Sequence, residues 1–243
     1  MKNQYFGDIN DYAKYGLIRA LHAEARLRVL VAWMLTRDER NDGLRDGELR
    51  SYLDEPDRWQ RFDPELYRGL RNLLETNASR RVALIEQSPL LGPARYFSDI
   101  VPDDADHRGA WAKKLERASS RSELVFLDPD TGLEVPSQPY GRKGSSKYLY
   151  WREVQQIWRT GASVLIYQHF PHEKRTTFIS RIAKELRKKT SSSLVEAFST
   201  PRVLFLLASQ REHARDLQRA IGRAAERWKP QISLVGLPSA RRG

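Results

Sequence analysis

Short apolar runs alternate with segments of helical periodicity along the chain, and this alternation most restricts the possible folds. The runs are nearly free of polar side chains, as strands are when helices cover both faces of a sheet. Strands are expected at 29–35, 82–86, 96–101, 124–127, 163–167, 203–207 and 232–235. Helices are expected at 10–25, 63–77, 104–118, 150–158, 172–188 and 211–228, and a loop at 36–47. The pattern predicts an α/β fold of three layers, Rossmann-like, with a mostly parallel sheet and helices on both faces.

Composition restricts the class of protein further. The 243 residues are 40% hydrophobic, enough for one core, and we expect a single domain over residues 1–243. Cysteine is absent, which excludes a disulfide scaffold, a thiolate metal site and a cysteine nucleophile. The longest apolar run, 29–35, is far shorter than the roughly 20 residues of a membrane helix. The opening MKNQYFGDIND has no apolar segment typical of a secretion signal, so we expect a cytoplasmic protein without a membrane partner.

The basic charge is concentrated in the last third of the chain. The formal net charge is +11, from 42 Lys+Arg and 31 Asp+Glu. Residues 171–243 hold 16 Lys+Arg and 6 Asp+Glu, so nearly all of the excess lies there and the rest is close to neutral. Clustered Lys and Arg bind phosphates through counterion release. We therefore expect a nucleic acid, RNA or DNA, as the partner of this basic third.

Two carboxylates follow the apolar run 124–127 directly, in the sequence Asp128-Pro129-Asp130. In open parallel sheets, ligands bind outside the carboxyl ends of the strands. Pro129 fixes the exit of the chain and has no N–H to pair. Asp128 and Asp130 are therefore candidate catalytic residues, although Asp-Pro-Asp-Thr-Gly is also good turn chemistry.

Further polar residues follow other expected strands at the same edge. Glu86 follows the second strand, and His169 follows the strand that begins at Ser163. A histidine at this rim is a candidate general base, and a structural histidine is the alternative.

The opening segment carries an unusually dense polar set. Asp11 and Lys14 are three residues apart and share a helix face, where they form either a surface ion pair or part of a site. The other polar or small members of this set are Gly7, Asp8, Asn10 and Tyr15.

A basic loop, residues 141–147, precedes the expected helix 150–158. Its backbone N–H groups, together with Arg142, Lys143 and Lys147, suit phosphate, so these three are candidate nucleic-acid-binding residues. The spacing is not that of a P-loop, and a plain surface loop is the alternative.

Two of these segments resemble the class I, Rossmann-like methyltransferases, and more distantly the RlmJ-type adenine-N6 methyltransferases of large-subunit ribosomal RNA. That family opens with H-x-G-N-x-x-D-x-x-K-H, and Gly7, Asp8, Asp11, Lys14 and Tyr15 fall on its G, N, D, K and final H. Its D-P-P-[YF] strand end is matched by Asp128 and Pro129. The resemblance implies S-adenosylmethionine as cofactor, with Asp128 accepting hydrogen bonds from the reacting amine. The resemblance places the cofactor contact on Lys14. In the methyltransferase hypothesis the candidate cofactor-binding residues are Lys14, Asp8, Tyr15, Glu86 and Pro129, beside the catalytic candidates Asp128, Asp130, Asp11 and His169.

Two other functions remain open. In a metal-dependent nuclease or phosphodiester hydrolase, Asp8, Asp11, Asp128 and Asp130 would bind Mg²⁺, with Lys147 or His169 stabilising charge or moving protons. Asp130 stands where the family has its second proline, and the stretch 36–43 after the first strand has a single glycine, Gly43; both favour the hydrolase. The third possibility is a non-catalytic nucleic-acid-binding protein of a defence or mobile-element system.

Overall fold

The computed structural model describes residues 1–37 and 49–237. Its helices are α1 (Ile9–Ala25), α2 (Pro56–Trp59), α3 (Pro64–Thr76), α4 (Ala83–Glu86), α5 (Ala105–Ser119), α6 (Trp151–Trp158), α7 (Arg175–Thr190) and α8 (Ala214–Trp228). Its strands are β1 (Val29–Ala32), β2 (Arg95–Phe97), β3 (Leu124–Leu127), β4 (Gly132–Leu133), β5 (Tyr148–Leu149), β6 (Ser163–His169), β7 (Leu194–Ser199), β8 (Val203–Ser209) and β9 (Ser233–Val235).

Seven of the strands form one sheet in the order β2-β1-β3-β6-β8-β7-β9. The pairs β1–β2, β1–β3 and β3–β6 are parallel, whereas β8 lies antiparallel between β6 and β7. The short strands β4 and β5 pair separately. The expected α/β fold with a mostly parallel sheet is confirmed.

The chain changes direction across the sheet at β1. It passes from β1 to β2 on one side and then returns to β3 on the other side of β1. The carboxyl ends of β1 and β3 therefore border a topological switch point, where open α/β sheets bind their ligands. Asp128 follows β3 directly and therefore lies at this switch point.

Apolar side chains project from both faces of the sheet, as the continuous apolar runs in the sequence predict. In β1, Val29 and Val31 belong to a core with α1, α3 and α8, whereas Leu30 and Ala32 belong to a core with α5, α6 and α7. Successive strand residues point to opposite faces, so each strand contributes to both cores. The helices thus cover both faces, which gives the expected three layers.

Helix α1 is fixed at its beginning and along its length. The side chain of Asp8 caps it by accepting a hydrogen bond from the backbone N–H of Asp11 at 2.8 Å. Further along, α1 packs on α8, and a Cβ built on Gly16 would lie only 1.7 Å from Cζ2 of Trp228. Glycine at this position allows the helix to lie against the indole ring.

One expected strand is absent, and three observed strands, β4, β5 and β7, were not expected. Residues 82–86 contain the short helix α4 instead of a strand, because Ala, Leu and Glu favour one helical turn and the run is too short for periodicity to decide. Strand β7 was not expected, since Glu196 interrupts its apolar pattern.

Most of the loop expected at 36–47 lies outside the described residues. Across 1–37 and 49–237, every helix is too short or too polar to span a bilayer.

Candidate active site

The opening segment and the Asp-Pro corner meet at the switch point. The Nζ of Lys14 lies 2.7 Å from Oδ1 of Asp11 and 2.7 Å from Oδ2 of Asp128. All three residues are at most 2% exposed. Helix α1 therefore delivers a cation to the carboxyl end of β3, and the two segments singled out in the sequence form one buried cluster.

Asp11 is saturated with hydrogen bonds. Its Oδ2 accepts from the backbone N–H of Gly7 and from the hydroxyl of Tyr15, each at 3.0 Å, while Oδ1 binds Lys14. These contacts assign Asp11 to holding Lys14. They also leave Tyr15 buried behind Asp11, away from the cavity described below.

Asp128 keeps one oxygen without a partner. Its backbone N–H donates to the carbonyl of Ala32 at 3.0 Å, which continues the pairing of β3 with β1. Its Oδ1 is buried and has no hydrogen-bond partner among the described residues. Burial raises the pKa of Asp128 and outweighs the opposing effect of Lys14. An unpaired buried carboxylate oxygen is costly unless a ligand donates to it.

The charge of Lys14 is secured by its neighbours. Burial alone lowers its pKa, but the carboxylates of Asp11 and Asp128 more than offset that effect, so the pKa lies above its ordinary value. Its Nζ also lies 4.9 Å from the ring centroid of Tyr167, a cation–π contact. Lys14 is thus a permanent cation in the cluster.

A cavity of about 200 Å³ opens beside this cluster. Its lining residues are Met1, Tyr5, Asp8, Asn10, Asp11, Lys14, Leu49, Asp128, Pro129, Asp130, Tyr167 and His169. Most of the site residues predicted from the sequence, among them Lys14, Asp128 and His169, therefore share one cavity.

Burial, followed by the repulsion from the neighbouring carboxylate of Asp11, raises the pKa of Asp8 to about 7.

Asp130 and His169 lie on the same cavity with different partners. The nearest Asp130 oxygens lie 3.7 Å from the α-amino group of Met1 and 3.9 Å from Nζ of Lys2. The Nε2 of His169 lies 3.3 Å from the hydroxyl of Tyr167. Burial lowers the pKa of His169, so its imidazole is neutral near pH 7.

Glu86 lies elsewhere. It was expected to follow a strand, but it ends helix α4 and does not line the cavity. Its Oε1 accepts from Nε1 of Trp33 at 2.8 Å and from the hydroxyl of Ser98. Glu86 thereby anchors the residues that follow β1 and β2, and its expected cofactor contact remains a prediction.

The basic loop already holds an anion of the chain itself. The backbone N–H groups of Gly144 and Ser146 donate to the carboxylate of Asp103 at 2.9 and 2.7 Å. Burial opposes ionisation of Asp103, but these bonds prevail and its pKa lies below the ordinary value. The expectation that these amides bind phosphate is therefore wrong, because a carboxylate occupies them.

The side chains of the loop fall into two groups. Lys143 and Lys147 line a wide cavity of about 800 Å³ together with Arg37 and His107, whereas Arg142 does not line it. Among residues 1–37 and 49–237, none lines both this cavity and the one beside Asp128. The predicted nucleic-acid contacts of these three residues remain predictions.

Tyr167 and Met1 are among the members of the site that sequence reasoning missed. Tyr167 precedes His169 by two residues in β6, so alternation places both on one face of the strand, and this signal could have identified it. The α-amino group of Met1 donates to the carbonyls of Met34 at 3.3 Å and Asp128 at 3.2 Å, and no local pattern indicates these long-range contacts.

Two of the carboxylates expected to bind Mg²⁺ in a hydrolase already bind a cation of the chain itself. The ammonium of Lys14 lies between Asp11 and Asp128, where a cation bridging them would bind. Over the part of the chain that the structure describes, no three His, Asp or Glu side chains are grouped so as to hold a metal ion.

No protein-family model matches the chain, and neither does a curated protein. Among solved structures, it is similar to human methyltransferase-like protein 13 in complex with SAH, with 13% sequence identity and a TM-score of 0.33 over 95% of this chain and 94% of that one.

Proposed function

We propose that the protein is an S-adenosylmethionine-dependent methyltransferase that acts on an amino group of a nucleic-acid base, of the adenine-N6 type. The observation that carries this proposal is the buried Oδ1 of Asp128, which lies beside the cavity at the switch point and has no partner within the described part of the chain. A carboxylate oxygen in this place accepts a hydrogen bond from an N–H donor such as an exocyclic amine. The cluster of Lys14 with two carboxylates also favours a cationic ligand, since one negative charge is left over when both are ionised.

The hydrogen-bond acceptors around the α-amino group of Met1, beside the cavity, suit the methionine end of the cofactor. The α-amino group of Met1 is held there by two backbone carbonyls, with the carboxylate of Asp130 at 3.7 Å. The same acceptors would hold the ammonium group of S-adenosylmethionine. Ligand pockets usually measure about 300–1,000 Å³, so the 200 Å³ cavity must widen, with Met1 leaving these acceptors, before a whole cofactor is held.

The residues of the chain then have distinct tasks. The bound cofactor would supply an electrophilic methyl group. Asp128 would accept an N–H of the target amine and orient its nitrogen, while Lys14 fixes the carboxylate in place. His169, neutral and on the same cavity, would take the proton that the methylated amine releases.

The charge of the chain supports a nucleic-acid substrate. The basic third, residues 171–243, supplies attraction to phosphates that does not depend on base sequence. The metal-dependent hydrolase is less well supported, because Lys14 takes the place of the metal between the carboxylates.

The test combines cofactor binding with methyl transfer. Isothermal titration of the purified protein with S-adenosylmethionine should give saturable binding, and labelled methyl groups should enter RNA or DNA. Asp128→Asn should lower incorporation by at least about 100-fold, the usual cost of losing one such electrostatic contact. Asp99→Asn, at an exposed ion pair with Lys114, is the matched control and should act like the wild type.

The outcomes separate the three functions. Absence of cofactor binding overturns the proposal. Nucleic-acid cleavage that depends on Mg²⁺ or Mn²⁺ would support the hydrolase, and nucleic-acid binding without either reaction would support a binding protein.

A further inference from the structure

A second cavity, of about 270 Å³, lies next to the candidate active site. The two cavities share Asn10 and Leu49 as lining residues. The second is enclosed by the first turns of α1, by residues 49–59, by the turn between β7 and β8, and by the end of α8. Because β8 runs antiparallel to β6, this turn lies at the same edge of the sheet as Asp128. A ligand of more than one ring could therefore reach both cavities.

Four aromatic side chains form the wall of this second cavity. Tyr12 stacks on Tyr52 with ring centroids 5.3 Å apart and an interplanar angle of 19°. The ring of Trp228 contacts Tyr12 edge-on, with centroids 5.0 Å apart, and the ring of Trp59 contacts Tyr52 edge-on, with centroids 6.0 Å apart. The hydroxyl of Tyr12 donates to the carbonyl of Trp59 at 2.8 Å, which holds the cluster together. The ring contacts and this hydrogen bond hold the four side chains against one another, and Trp59 is the most exposed of them.

Two hydrogen-bond donors of the wall are unused. Trp59 and Trp228 both line the cavity, and the Nε1 of each is buried with no partner in the described part of the chain. Trp59 is 8% exposed and Trp228 is 1% exposed. Buried tryptophan N–H groups usually find an acceptor. The cavity therefore suits a planar ligand that carries acceptor atoms at its edge.

Cations flank the aromatic wall. The guanidinium carbon of Arg58 lies 5.0 Å from the ring centroid of Trp59, and one nitrogen lies 3.1 Å from Glu55. Arg202 reaches the cavity from the turn between β7 and β8. Aromatic surfaces next to arginines are the combination with which proteins bind single-stranded nucleic acid.

We propose that this cavity binds a nucleobase of a single-stranded nucleic acid, next to the nucleotide whose amine reaches Asp128. The base lies against Trp59, the most exposed ring of the wall; its ring nitrogens and carbonyl oxygens accept from Trp59 and Trp228, and the arginines contact the phosphate. The identity of the neighbouring nucleotide rests on the proposed function, whereas binding of a base in this cavity does not. A proline-rich peptide would also use aromatic walls and indole donors, but the flanking arginines favour a phosphate-bearing ligand.

Equilibrium dialysis with the four nucleoside 5′-monophosphates and a five-nucleotide single-stranded RNA tests the proposal. The wild type should bind them saturably. Trp59→Phe keeps an aromatic ring but removes the N–H, and should weaken binding by about fivefold, the effect of one hydrogen bond. Trp151→Phe is the matched control: Trp151 is also 8% exposed, lies in the opposite core and does not line this cavity, so binding should be unchanged.

Each result decides. Failure of the wild type to bind any nucleotide, or equal affinities of the two variants, overturns the proposal, and binding of a proline-rich peptide without nucleotide would assign the cavity to peptides. Titration with S-adenosylmethionine is run in parallel. If cofactor binding fails while nucleotide binding still depends on Trp59, the proposed methyl transfer is wrong and the base-binding cavity stands.

Discussion

Lys14 and Asp128 are 114 residues apart in the chain and form a buried ion pair of 2.7 Å between Nζ and Oδ2. The pair joins the first helix to the end of a central strand. Because each residue belongs to a different segment singled out in the sequence, their contact makes one candidate site out of two.

Removing the cation from this cluster should strongly destabilise the fold. Lys14→Met leaves Asp11 and Asp128 buried without their shared partner, and the loss of one member of a buried pair usually costs about 3–5 kcal/mol. Urea unfolding measures the change. The double variant Lys14→Met/Asp128→Asn should recover part of the loss, because it removes one of the stranded charges. If Lys14→Met alone were as stable as the wild type, this would contradict a buried cluster.

Asp8 should make stability depend on pH. Its pKa in the folded state is raised from 3.8 to about 7, so the folded protein holds this proton more tightly than the unfolded chain. The resulting stability is complete below about pH 4 and is lost as the pH rises towards 7. Asp8→Asn keeps a capping oxygen without the charge, and should be more stable than the wild type at pH 8 by at least about 1 kcal/mol, since one pKa unit corresponds to roughly 1.4 kcal/mol.

Urea titrations at pH 4 and pH 8 measure this difference, which should be close to zero at the lower pH. Asp99→Asn, at an exposed site, serves as the control. A gain in stability that is the same at both pH values would show that Asp8 does not titrate in this range.

Lys143 should contribute a single phosphate contact to nucleic-acid binding. Lys143→Ala should reduce the slope of log K against log salt by about 0.7 for single-stranded RNA, the value for one released counterion. Fluorescence anisotropy at several salt concentrations measures the slope. Lys113→Ala, an exposed lysine of α5 that does not line the cavity of Lys143, should leave it unchanged. Identical slopes for wild type and Lys143→Ala would place the nucleic acid elsewhere.

Arg108 should be essential to the loop that precedes β5. It is fully buried, binds both oxygens of Glu153 at 2.8 and 3.0 Å, and donates to the carbonyls of Ser145 and Tyr148. Arg108→Met leaves Glu153 as a buried, uncompensated charge and should cost about 3–5 kcal/mol in urea unfolding. Arg117→Met, on the exposed side of the same helix, should change stability by less than about 0.5 kcal/mol.

The fold could be predicted where local signals agree with the tertiary structure. Asp63 and Pro64 mark the start of α3, and the apolar run before Asp128 is β3. Since the carboxyl ends of parallel strands meet at one edge, the sequence also indicated that His169 would lie near Asp128, and both line one cavity.

The rest of the fold and of the candidate site depends on long-range contacts that no local sequence pattern indicates. The amides of the basic loop look available for phosphate until Asp103, about forty residues earlier, is seen to occupy them. Trp59 and Trp228 read as separate apolar positions, and only the contacts of α1 with both α8 and the backbone of Trp59 bring them to one cavity. The strand β7 was missed because a half-buried Glu196 in a strand near the sheet edge breaks the apolar run.

Gly16 sits two residues after Lys14, on a helix that touches the indole of Trp228 where a methyl group has no room. A larger side chain there would force the helix to pull back from α8 or to rotate. Either movement would carry the ammonium of Lys14 away from the corner where it meets the carboxylate of Asp128. The alignment of the cluster therefore depends on the absence of a side chain at Gly16, and substitutions at Gly16 should mimic damage to the reactive groups themselves.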